Sequence, residues 1–139
     1  MLKRIYLLAL ALLAGLAAPS ARAHAQGFVV VVNAASAATT LSKSDVSNAF
    51  LKKGGKFAPI DQDKGSKTRD AFTKAVHGRP VSAIATYWQQ QIFAGKDVPP
   101  AEKGSDADVL AFVRSTPNGI GYVAEGTTLG AGVRVVTIP

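Results

Sequence analysis

The residues best placed to do chemistry are Ser66, Lys67, Thr68 and Arg69, which follow Gly65 in the stretch DQDKGSKTRDAF, Asp61 to Phe72. Ser66 has the character of a helix N-cap, so the residues after it would form a first helical turn. Lys67 and Arg69 are cations there, although the positive end of a helix dipole favours acids. A helix start offers unpaired N–H groups and a partial positive charge, which together attract an anion. The hydroxyls of Ser66 and Thr68 would add donors, and Lys67 and Arg69 would add charge-assisted bonds. The competing reading is a solvated loop whose cations are neutralised in water by Asp61, Asp63 and Asp70. Residue types alone leave both open.

Other chemical signals are weaker. GSKT lacks the P-loop glycines, because Ser66 stands immediately before the lysine and Asp61 stands five residues earlier. GIGYVA, Gly119 to Ala124, has dinucleotide spacing but follows a helical pattern and itself reads as a strand. His77 falls at a predicted helix C-terminus, where a partly charged imidazole interacts favourably with the dipole. With no cysteine and with acids spread singly along the chain, neither a metal cluster nor a catalytic triad can be assembled. The expectation is therefore a non-catalytic protein without a cofactor, with an exported enzyme as the weaker alternative.

The elements that must hold these residues follow from periodicity. GFVVVVN, Gly27 to Asn33, is a β-branched run expected of a strand buried on both faces in mid-sheet. Ser42 and Asp45 form a capping box for a first helix, with Val46, Ala49 and Phe50 inward and Gly54 and Gly55 at its end. FAPI, Phe57 to Ile60, is a short strand candidate. A second helix is predicted from Ser66 to about Val76, with Ala71, Phe72, Ala75 and Val76 inward, stopped by His77-Gly78-Arg79-Pro80. A third carries Ile84, Tyr87, Trp88 and Ile92 on one core stripe and ends near Gly95. Lys96 to Gly104 reads as a polar loop. Ser105 and Asp108 then start a fourth helix, with Val109, Leu110 and Val113 inward. GIGYVA and VRVVTI, Val133 to Ile138, are the last strands. Strands interspersed with helices imply an α/β layer structure.

Residues 1–25 carry basic Lys3 and Arg4, an apolar run from Ile5 to Ala18 and small residues up to Ala25, the pattern of a secretory signal peptide cleaved after Ala23 or Ala25. Residues 26–139 are then one domain with one modest core. Of 16 Lys and Arg, three leave with the signal, so 13 basic face 9 acidic residues. That mild positive charge suits solubility or a small anion. Scattered lysines and export both argue against nucleic acid as a partner.

The order of VVVN at Val30 to Asn33, LSKSDVSNAFLKKGGKF at Leu41 to Phe57, GSKTRDAF at Gly65 to Phe72, YWQQQIFAG at Tyr87 to Gly95, SDADVLAFV at Ser105 to Val113 and PNGIGYV at Pro117 to Val123 resembles the phosphate-binding-protein family, the periplasmic substrate-binding components of phosphate ABC transporters. The resemblance is to its small single-domain members. It implies an α/β fold, a single lobe of a type II periplasmic binding protein with a small mixed sheet flanked by about four helices. It also implies a periplasmic location, phosphate or a similar small oxyanion as ligand, and a membrane transporter or another envelope protein as partner. In that family the loop reads as arginine, three residues, then Ser-Gly-Thr. Ser66 and Thr68 match, whereas Gln62 replaces the arginine and Lys67 the glycine. Gly65, Ser66, Lys67, Thr68 and Arg69 are the ligand-binding candidates. The rival function is a protein-interaction or envelope accessory module that keeps the lobe without its ligand.

Overall fold

The computed structural model describes residues 26–139; the predicted signal peptide, Met1 to Ala25, lies outside the described residues. The chain runs β1 (Phe28–Asn33), α1 (Lys43–Phe50), β2 (Ala58–Pro59), β3 (Asp61–Gln62), α2 (Lys67–Phe72) continuing through a π-helical turn (Thr73–His77), α3 (Val81–Phe93), β4 (Glu102–Lys103), α4 (Asp106–Ser115), β5 (Gly119–Ala124) and β6 (Val133–Val136). The main sheet has the order β2-β5-β1-β6 and is mixed: β1 is antiparallel to both neighbours, and β2 lies parallel to β5. The valine run thus forms an interior strand, as its composition requires. β3 and β4 form a separate two-stranded parallel ribbon.

Each face of the sheet carries its own core. Phe28, Val30 and Val32 of β1 pack with Val46 and Phe50 of α1, Phe72 of α2 and Tyr122 of β5. Val31 points to the other face and packs with Ile60, Val123 and the inward stripe Val109, Leu110 and Val113 of α4. Strand alternation therefore builds helix–sheet–helix layers. The first core is rich in aromatics: Phe72 stacks on Tyr122 with centroids 3.9 Å apart and meets Phe28 edge-on at 5.4 Å. On the second face α4 sits close because Gly121 has no side chain; a Cβ there would lie 2.7 Å from Val109 and 2.9 Å from Ile60.

The predicted caps form as expected. Ser42 and Asp45 make the reciprocal box, and Ser66 and Ser105 accept from the third backbone N–H of their helices. Several expectations are corrected. α1 stops at Phe50, before Gly54 and Gly55, because Lys52 takes a left-handed conformation at φ 56°. The loop from Lys96 contains β4, and the strand expected through Ile138 ends at Val136. On α3, Ile84 and Trp88 are buried, but Ile92 is 52% exposed and belongs to no core stripe, since the helix runs past the edge of the globule.

Candidate functional site

The helix start is built from β3 and α2. The pair Asp61–Gln62 is aligned beside Glu102–Lys103 of β4, and Asp63 then opens a turn closed by the Ser66 N–H donating to the Asp63 carbonyl at 2.9 Å. Ser66 caps α2: its Oγ accepts from the Arg69 N–H at 3.2 Å and donates to Gln62 Oε1 at 2.6 Å. The N–H groups of Lys67 and Thr68, in the first turn of α2, precede the start of the helix's own ladder and are not the ones that Ser66 caps. Gly65 and Lys67 are exposed, and Thr68 is half-buried.

Arg69 goes the other way. It is only 5% exposed, and its Nη1 donates to the Gln62 carbonyl at 2.6 Å and to Glu102 Oε1 at 2.8 Å, while Nη2 lies 3.5 Å from Asp61 Oδ2. Asp61 is held in turn by the Tyr122 hydroxyl, which donates to its Oδ1. Burial pushes the Asp61 carboxyl up from the ordinary value against the opposing pull of Arg69, and burial likewise raises the Tyr122 phenol. The phenol therefore stays protonated and serves as a donor. Of the five sequence candidates, Gly65, Ser66, Lys67 and Thr68 share the loop surface, whereas the Arg69 guanidinium lies beneath it.

Gln62, which stands where the resemblance leads one to expect arginine, joins four elements. Its Nε2 donates to Asp106 Oδ1 and to the Tyr122 carbonyl, each at 2.9 Å, and its Oε1 accepts from Ser66. Three carboxylates, Asp61, Glu102 and Asp106, thus back the loop against a single buried guanidinium. Pattern reasoning could not find this cluster, since Asp61 and Tyr122 lie 61 positions apart and the two-residue strands that align Glu102 have no periodicity to read.

A second polar pairing also escaped the sequence. Ser47 Oγ and His77 Nδ1 are 2.8 Å apart, joining the middle of α1 to the end of the π-helical turn. His77 was expected as a partly charged helix-end residue. Burial first, with the repulsion of Arg79 and Arg69 added, instead lowers its imidazole to about 4, so it is neutral at pH 7.

With this geometry the chain has the fold of a single lobe of an ABC-transporter phosphate-binding protein. It superposes on the ABC-type phosphate transport receptor of Vibrio cholerae with a TM-score of 0.59 at 20% identity, over 81% of this chain and 46% of that one. A Clostridium perfringens chain assigned as a phosphate ABC transporter substrate-binding protein, solved with bound phosphate, gives 0.60 at 16% identity over 81% and 44%. A possible phosphate binding protein of Planctomyces limnophilus gives 0.60 at 15% identity over 81% and 41%. The chain therefore spans less than half the length of each. No protein-family model and no curated protein matches the sequence. Among the described residues no helix is long and apolar enough to cross a membrane.

Proposed function

We propose that this chain is an exported, non-catalytic binding protein for phosphate or a similar small oxyanion, held at the loop Gly65 to Arg69. The observation that carries the reading is the start of α2: the uncapped N–H groups of Lys67 and Thr68 stand beside an exposed ammonium and a hydroxyl, on the fold of proteins that include a phosphate-bound one. Ser66 shapes this loop through its bonds to Gln62 and Arg69. Arg69 supports the loop from beneath by locking α2 to β3, its charge paired with Asp61 and Glu102. An open site of this kind keeps water at the anion, so affinity is modest and sensitive to salt. Cleavage of residues 1–25 would release the domain to the periplasm, where a membrane transporter or another envelope protein is the expected partner.

One observation favours the alternative of an interaction or accessory module without a ligand. The strongest cation of the loop is already paired with Asp61 and Glu102, leaving Lys67 as the charge facing outward. Calorimetric titration with phosphate, sulfate and carboxylates separates the two. Saturable heat that Thr68→Ala diminishes supports the binding protein, and silence across the panel supports the module.

A further inference from the structure

At the opposite end of the same helical run, Ser47 and His77 open onto a cavity of about 230 Å³, whose wall also includes Asn48, Lys53, Arg79 and Tyr87. Among the described residues no carboxylate lines it. The charged side chains of the wall are Lys53 from the loop after α1 and Arg79 from the turn before α3, and Arg69 of α2 also acts on His77 electrostatically; α1 contributes Ser47 and Asn48, and α3 contributes Tyr87. Lys53 Nζ lies over the Tyr87 ring, 5.7 Å from its centroid. Two cations, a hydroxyl, an amide and an imidazole thus line one cavity with no anionic partner among the described residues, and the volume admits a tetrahedral oxyanion with a few waters.

His77, on this wall, closes the last turn of the run, Thr73–His77, which is a π-helix. Such turns are rare departures from α geometry and recur at functional sites. When the Ser47 hydroxyl donates to Nδ1, the proton of the neutral ring is on Nε2, which leaves an N–H to donate.

We infer that the cavity between α1, the π-helical turn and α3 is a second small-oxyanion site, in which Lys53 and Arg79 supply charge and the Ser47–His77 pair supplies hydrogen bonds and a proton-linked response. The linkage has a definite sign. Burial first, and repulsion by Arg79 and Arg69 after it, keep the free imidazole neutral down to about pH 4, and an anion beside Arg79 offsets that repulsion. Binding therefore raises the His77 pKa, and by reciprocity affinity increases as pH falls from the bound-state value towards the free one.

His77 is the only histidine in residues 26–139, so NMR of its imidazole reads this cavity directly. The chain is titrated with sodium sulfate against sodium chloride at constant ionic strength, and the His77 signal is assigned by its loss in His77→Gln. Sulfate keeps its charge over the pH range scanned. The His77 resonance is expected to move saturably, with its pKa rising by about one unit or more. Lys53→Ala and Arg79→Ala, both at exposed positions, should each weaken the response about fivefold or more, while Lys67→Ala at the α2 start leaves it unchanged. A His77 pKa indifferent to sulfate, or a full response in the Lys53→Ala, Arg79→Ala double variant, would overturn the second site. A response abolished by Lys67→Ala would overturn it too, by assigning the effect to the loop at Gly65 to Thr68.

Discussion

The Arg69 guanidinium reaches back to donate to the Gln62 main-chain carbonyl at 2.6 Å, across seven positions of sequence. This bond ties the first turn of α2 to the end of β3. It also turns the side chain away from solvent, where Asp61 and Glu102 neutralise it. A residue that reads from sequence as a ligand contact is thereby a structural keystone of the loop as well.

Arg69→Ala should accordingly cost stability before it costs affinity. Removing one partner leaves the buried Asp61 carboxylate without its counter-charge, a loss of about 3–5 kcal/mol for a well-buried pair. Urea denaturation measures it. A variant as stable as the wild type but weaker in binding would mean that the guanidinium faces the ligand.

Gln62→Leu tests the junction from the other side. The swap preserves bulk but removes the bonds to Ser66, Asp106 and the Tyr122 carbonyl, leaving buried polar groups unpaired. A loss of about 2–4 kcal/mol in the same denaturation assay is expected. A change within about 0.5 kcal/mol, typical of a surface site, would contradict the network.

How much of this was legible in advance depended on the range of the interaction. The caps at Ser42, Ser66 and Ser105 were readable because cap and partner lie three residues apart. The interior position of β1 was readable because four consecutive valines suit only a strand covered on both sides. Helical spacing correctly aligned Ile84 with Trp88, yet spacing says nothing about where the globule ends, so Ile92 was misplaced. Whether Arg69 was a ligand contact or a charge neutralised in water by Asp61 stayed open in the sequence, because their burial depends on β4, a two-residue strand more than thirty positions away. The pairing of Ser47 with His77 carried no signal: an isolated serine on a helix acquires meaning only when another helical turn is laid beside it.

The edge of the core on α3 yields a paired prediction. Trp88 is buried, and Trp88→Ala should cost about 3–5 kcal/mol, whereas Ile92→Ala, at the exposed end, should stay within about 0.5 kcal/mol. Thermal denaturation of the two variants side by side decides this. Equal losses would restore Ile92 to the core.

His77 makes stability depend on pH. Its folded pKa, about 4, lies below the ordinary 6.5, so the folded state favours the neutral ring. That contribution is fully present above about pH 6.5 and is lost as pH falls towards 4, because the unfolded chain binds the proton first. Allowing for solvent screening of a half-buried ring, the loss is roughly 1–3 kcal/mol. The difference in stability between the wild type and His77→Gln, followed by denaturant unfolding from pH 7.5 to 4, should shrink by that amount. A difference constant with pH would show that the imidazole titrates normally in the fold.

The central claim, an oxyanion seated on the first turn of α2, is tested most directly by following the backbone amide resonances of Lys67 and Thr68 while phosphate is added at low, fixed ionic strength. Those N–H groups should shift saturably and together, because they are the donors the helix leaves free. Thr68→Ala and Lys67→Ala should each weaken the titration, the second more at low salt than at high salt, since an exposed ammonium is screened. If both amides stay in place at millimolar phosphate while the spectrum remains that of the folded chain, the loop is a capped helix start without a ligand, and the interaction-module reading replaces the one proposed.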